Sequence, residues 1–215
     1  MCTTNENTST TPVYVNLPLP ESGCIKNIIH LSDIHIRTGS RDASRFEEYS
    51  VVFERLSDKL KIVSENEKYK GCIVSVITGD IFHHKCKLEA SGISLFTNLI
   101  SRLSALFPVY IIQGNHDYVQ QSPDEPDLIE SFLKYNPYPN VVYMQKSGHY
   151  IAGNVGFGLT AINDILLPNT TSGFRMNIQP FPDSHKFPSS VTTRVALYHG
   201  MINRCLTESY VPNSE

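Results

Sequence analysis

Apolar positions along this chain change period in a regular way. Ile25 to Ser32 is largely apolar and β-branched, lies between Gly23 and a polar loop, and predicts a buried strand. Ser44 with Glu47 three residues on forms a capping box. Phe46, Tyr49, Phe53, Leu56, Leu60 and Val63 then recur at spacings of three and four, which predicts an amphipathic helix. Cys72 to Thr78 predicts a second buried strand. Leu95, Phe96, Leu99, Ile100, Leu103 and Leu106 give a second helical stripe that stops before Pro108. Val109 to Ile112 follows as a short strand, Asp124 to Tyr135 as a helix, and Val141 to Met144 as a strand after an Asn-Pro-Tyr-Pro turn. Further strands are expected at His149 to Ala152, Val155 to Ile162 and Val191 to Tyr198, with a long loop from Asn163 to Ser190. Strand, helix, strand, helix, strand is a βαβ series, so the expected class is α/β, layered, with a partly parallel sheet. Residues 1–24 are expected to be a polar tail with an irregular apolar lead-in, Val13 to Pro20, and residues 25–215 one domain.

Composition narrows the field without identifying a chemistry. The chain has 215 residues, 40% of them hydrophobic and 18% charged, enough to bury a core without a disulfide or metal staple. A net charge of −3 excludes a histone-like cationic binder, though a local basic patch remains compatible with it. The Thr/Asn/Ser-rich start has no basic flank and no apolar core, so no secretory signal is expected, and no run approaches the ~18 apolar residues of a membrane span. Five cysteines without C-x-x-C spacing favour reduced thiols, hence an intracellular setting, cytoplasmic or nuclear.

In open α/β sheets ligands bind at the carboxyl ends of the strands, so the residues found there carry the argument. Ser32-Asp33-Ile34-His35 follows the first strand. Two residues apart on an extended chain, Asp33 and His35 are expected to point the same way and to grip one cation. Gly79-Asp80-Ile81-Phe82-His83 follows the second strand, and Gly114-Asn115-His116-Asp117 the third. Asn115 offers a neutral oxygen, His116 a titratable imidazole, and Asp117 a carboxylate expected to orient that imidazole. The last strand ends in His199-Gly200. Singly, D-x-H and G-D are common turn chemistry. Four strand ends each bearing a ligand-type residue are not.

The order D-x-H, G-D, G-N-H-D, H-G resembles the calcineurin-like metallophosphoesterase superfamily from about Ile25 to Gly200. H-L-S-D-I-H-I, G-D-I-F-H and P-V-Y-I-I-Q-G-N-H-D look most like its SbcD-type DNA-repair exonuclease branch, which carries Asp-x-x-His where this chain has Asp80 and His83. The protein phosphatase branch has an Arg-bearing G-D-x-V-D-R-G and G-N-H-E instead. The resemblance implies a layered fold of mixed β-sheets flanked by helices, with two divalent metal ions at the strand ends. It places Asp33 and His35 on one ion, Asp80 between the two, and Asn115 and His199 on the other. It makes His116 the acid at the phosphate or leaving group, oriented by Asp117, and His83 a histidine that either supports the ligands from behind or contacts the phosphate. The family's final G-H-x-H has no counterpart after His199, so the chain is expected to be the N-terminal part of a longer protein.

Nitrogen and oxygen ligands with a shared carboxylate suit Mn²⁺ first, with Fe²⁺, Zn²⁺ or Mg²⁺ as alternatives. No Cys or Ser nucleophile is expected at a strand end, which favours attack by water. Arg37, Arg41 and Arg45, with Lys85 and Lys87, leave the same edge and are candidates for contact with a phosphate backbone. The resemblance therefore implies a metal-dependent nuclease acting on DNA ends or single strands, working with an ATPase partner subunit as that branch does; a homodimer stays open and no membrane is expected. The alternatives are a phosphodiesterase for small or cyclic nucleotides, and a catalytically weak binding module.

Overall fold

A computed structural model describes residues 13–38, 45–84, 89–117, 125–162, 166–169, 173–176 and 182–200 of the chain. Three layers stack in the order helices, sheet, sheet. The central sheet runs β2-β3-β4-β5, from Asn27–Leu31, Ile73–Thr78, Val109–Ile112 and Val141–Met144, with every pairing parallel. Its outer face carries α1 (Arg45–Glu65), α2 (Ala90–Ser104) and α3 (Leu128–Tyr135). Its inner face packs on a mixed sheet ordered β1-β6-β7-β10, from Tyr14–Asn16, Gly148–Ala152, Val155–Thr160 and Thr193–Tyr198. Both layers were expected in kind: an α/β fold with mixed sheets and flanking helices.

The strand pattern explains the layering. All six residues of β3 are buried, as expected of a parallel strand covered on both faces. Ile73 and Ile77 join the helix-side core with Phe53, Leu60, Phe96 and Ile100. Val74 and Val76, one residue out of phase, join the inter-sheet core with Tyr110, Ile112, Phe157 and Leu159. Phe96 ties α2 to both neighbours, with ring centroids 5.1 Å from Phe82 and 4.8 Å from Phe132. Asp127 caps α3 by accepting the Glu130 N–H at 2.8 Å. The expected cap of α1 at Ser44 lies outside the described residues; α3 begins at Leu128, later than the expected Asp124, because Asp127 is its extended cap.

Two expectations need correction. The lead-in is not irregular throughout: Tyr14–Asn16 pairs in parallel with His149–Ile151 as an edge strand, and Leu17 behind it is only 4% exposed. Three residues between Pro12 and Pro18 give no periodic signal; the partner strand, far away in sequence, supplies the order. The expected loop from Asn163 to Ser190 contains an antiparallel hairpin, β8 (Leu166–Asn169) and β9 (Gly173–Met176), and a 3-10 turn at Ser184–Lys186. Pro168 within β8 argues against a central strand, but a two-stranded hairpin consists only of edges, where proline is tolerated. No helix of the described residues is long and apolar enough to cross a membrane.

Candidate metal centre

Because β2, β3 and β4 run parallel, their carboxyl ends open on one edge, and the three motif loops meet there. The loop after β2 is not extended. Asp33 and His35 have φ of 52° and 48°, and Asp80 after β3 has φ of 53°; these are the non-glycine residues in the left-handed region among those described. Each such position costs on the order of 1–3 kcal/mol and persists only where surroundings over-determine it. Here backbone pairing does so. Asp33 N–H donates to the Gly79 carbonyl at 3.2 Å, His35 N–H to Asp80 at 2.9 Å, Ile36 N–H to Ile81 at 2.7 Å, and His83 N–H to Ile36 at 3.1 Å. Asp33 and His35 do share a side, as expected, but through two left-handed turns and not through an extended segment.

Two glycines let the loops close on one another. A Cβ on Gly79 would lie 2.6 Å from the Gly114 Cα and 2.8 Å from His199 Nδ1. A Cβ on Gly114 would lie 2.2 Å from both the Asp80 nitrogen and its Oδ1. The result is Asp80 at the centre, 3% exposed. Its Oδ2 is 3.5 Å from His35 Nε2, and its Oδ1 is 3.3 Å from His199 Nε2 and accepts the His116 N–H at 2.9 Å. Asp33 Oδ1 lies 3.9 Å from His35 Nε2. Burial pushes the Asp80 carboxyl up, but the His199 imidazole and the His116 N–H outweigh it and hold the group below its usual value.

His199 is oriented by its neighbours. Its Nδ1 donates to the Thr78 carbonyl at 2.6 Å, which leaves Nε2 facing Asp80 and, at 3.0 Å, the Asn115 Oδ1. With acceptors on both nitrogens the imidazole is pushed up to about 9, chiefly by the Asp80 hydrogen bond, against burial. Asp33, Asp80 and His199 bring one ligand atom each within 4.8 Å of one another. Two carboxylates and an imidazole, with the Asn115 oxygen beside them, are a donor set that fits a divalent cation.

Two expectations about roles change. Asp117 does not orient His116. It is 5% exposed, and its carboxylate accepts the N–H groups of Ile81 at 3.1 Å, Phe82 at 3.2 Å and Gly114 at 3.0 Å, tying the second motif loop to the third. Burial pushes this carboxyl up to about 6, against the Gly114 and Phe82 N–H groups. His116 is oriented instead by the His83 carbonyl, 2.8 Å from its Nδ1, and its ring stacks on His83 with centroids 5.5 Å apart. A serine does stand at a strand end, contrary to expectation: Ser32, whose hydroxyl donates to Asp33 Oδ2. His83 is held below its ordinary value by desolvation first, then by the positive fields of His84, Arg37, His116 and His35.

Of the basic candidates, Arg37 lies close enough to act on His83. Arg45 is engaged elsewhere, 3.5 Å from Glu48 and over the Tyr49 ring at 5.4 Å. Arg41, Lys85 and Lys87 lie outside the described residues. Missed in the sequence were His30, Ser32 and Tyr198, which with Asp33, Asp80 and His199 line a cavity of about 440 Å³. A histidine in the apolar run Ile28-Ile29-His30-Leu31, two residues before Ser32, was the available signal.

A family model for calcineurin-like phosphoesterases matches residues 26–199. The chain belongs to that family. Members of that family are metal-dependent phosphoester hydrolases. It is also 30% identical, over 194 residues, to "Uncharacterized protein R555" of Acanthamoeba polyphaga mimivirus. The matched region covers 89% of this chain and 13% of the viral protein, so the chain spans a small part of that relative's length.

Proposed function

We propose that this chain hydrolyses phosphodiester bonds in DNA, at ends or single strands, with two divalent ions, Mn²⁺ first among the candidates. Asp33 and His35 would hold one ion, Asn115 and His199 the other, and Asp80 both. The observation that carries this reading is Asp80 itself: a buried carboxylate whose two oxygens face histidines from two different sheets. Divalent ions held there supply Lewis-acid charge to the phosphoryl oxygens and lower the pKa of water.

The chain's own groups do the rest. His199 is fixed through the Thr78 carbonyl so that Nε2 alone faces the centre. His116, with Nδ1 occupied by the His83 carbonyl, presents Nε2 as the nitrogen that delivers a proton to the leaving oxygen. Arg37 adds positive potential on the same side. Asp117 keeps the two motif loops in register. A nucleic-acid substrate is supported by the G-D-I-F-H and G-N-H-D motifs with His83 beside His116.

A cavity of about 440 Å³ beside Asp80 favours a second reading, a small-nucleotide phosphodiesterase, since small-molecule sites have this size. Hydrolysis of linear duplex DNA, single-stranded DNA and bis-p-nitrophenyl phosphate in Mn²⁺ tests the proposal. Cleavage of DNA is the expected result. Turnover of the small ester or of cyclic nucleotides with DNA left intact would replace it by the second reading.

A further inference from the structure

We infer that His35, His83 and His116 form a separate site for one soft divalent cation of the zinc class, beside the carboxylate centre and sharing His35 with it. These histidines come from the loops after β2, β3 and β4, and each brings a ring nitrogen within 4.8 Å of the other two. Nitrogens on one tetrahedral zinc, at Zn–N of 2.0–2.1 Å, lie about 3.4 Å apart. Modest side-chain rotation closes the difference.

Orientation favours ligation. His116 Nδ1 is taken by the His83 carbonyl, the arrangement by which ligating histidines are usually held, so Nε2 is the ligand atom. The rings pack edge-on and stacked, at 4.9 Å for His35–His116 and 5.5 Å for His83–His116, so they already form one cluster. His35 has a buried Nδ1 without a hydrogen-bond partner. Its Nε2 stands 3.5 Å from the buried Asp80, which supplies negative charge to a nearby cation.

The two groups differ in donor chemistry. Asp33, Asp80 and His199, with Asn115, are oxygen-rich; His35, His83 and His116 offer imidazole alone. Imidazole sets suit Zn²⁺, Co²⁺, Ni²⁺ and Cu²⁺, whereas carboxylate and carbonyl sets suit Mg²⁺ and Mn²⁺. A soft ion at the three histidines draws His35 and His116 away from the carboxylate centre, so such ions inhibit where Mn²⁺ supports turnover.

Co²⁺ as a spectroscopic probe tests the site without any activity measurement. Titration of the metal-free chain with Co²⁺ should raise the intense visible absorption of a four-coordinate, imidazole-rich site. His83→Asn should abolish that band and weaken the corresponding binding by about 100-fold or more, beyond the 10–100-fold of losses outside the ligand set. Asp33→Asn and His84→Asn, both outside the three-histidine group, should keep it, and circular dichroism of each variant establishes that it is folded. A band absent in the parent chain, surviving in His83→Asn, or lost in Asp33→Asn overturns the inference. None of these outcomes depends on which phosphoester is hydrolysed.

Discussion

Gly114→Ala isolates the packing that brings the motif loops together. The added Cβ would sit 2.2 Å from the Asp80 nitrogen and from its Oδ1, about 1.2 Å inside ordinary contact. Neither atom is the end of a flexible side chain: one is backbone, and the other is held by His116 N–H and faces His199. The loops must therefore part, and Asp80 must move away from His35 and His199. Overpacking of this kind costs about 1–3 kcal/mol. In a chain of this size that lowers Tm by roughly 2–12 °C, at 2–4 °C per kcal/mol. Function should suffer more, because a misplacement of about 1 Å at reacting groups costs on the order of 100-fold. The assays are thermal denaturation by circular dichroism, Mn²⁺ titration calorimetry and hydrolysis of bis-p-nitrophenyl phosphate. Gly158→Ala, where a Cβ meets only Pro182 at 3.6 Å, is the control and should leave all three unchanged. The reasoning fails if Gly114→Ala binds Mn²⁺ like the parent and retains activity within tenfold.

Other outcomes follow from the same geometry. Asp80→Asn removes the charge facing two histidines, so hydrolysis should drop below a tenth, a barrier rise of more than ~1.4 kcal/mol; higher residual activity would sink its central role. His116→Ala should lower turnover by about 10²–10⁴-fold with Mn²⁺ content unchanged, and Mn²⁺ loss by elemental analysis would make His116 a ligand of that ion instead. In metal-free protein His199, raised from 6.5 to about 9, gives stability that is fully present below about 6.5 and lost as pH rises through about 9. Melting curves from pH 6 to 10 should show that loss, and Asp80→Asn should flatten it. For the same reason Mn²⁺ binding at pH 7.5 should release about one proton from His199 per centre. Calorimetry in buffers of different ionisation enthalpy measures this, and buffer-independent heats would contradict it.

Local pattern was enough for the central sheet and its helices, because periodicity reports burial directly. The mostly β-branched, fully buried Ile73–Thr78 and the three-and-four spacing of Leu95 to Leu103 each report their packing directly. The ligand-type residues were legible too, since a parallel sheet must present its strand ends together. Tertiary contacts decided what spacing cannot encode. Tyr14–Asn16 is a strand only because His149–Ile151 lies beside it. Asp33 and His35 are held by left-handed turns that the neighbouring loop imposes. Asp117 binds backbone N–H groups because, once buried, a carboxylate must find donors, and the amides of Ile81, Phe82 and Gly114 supply them. Sequence thus determines which side chains reach the edge, and three-dimensional packing determines which atom of each faces which partner.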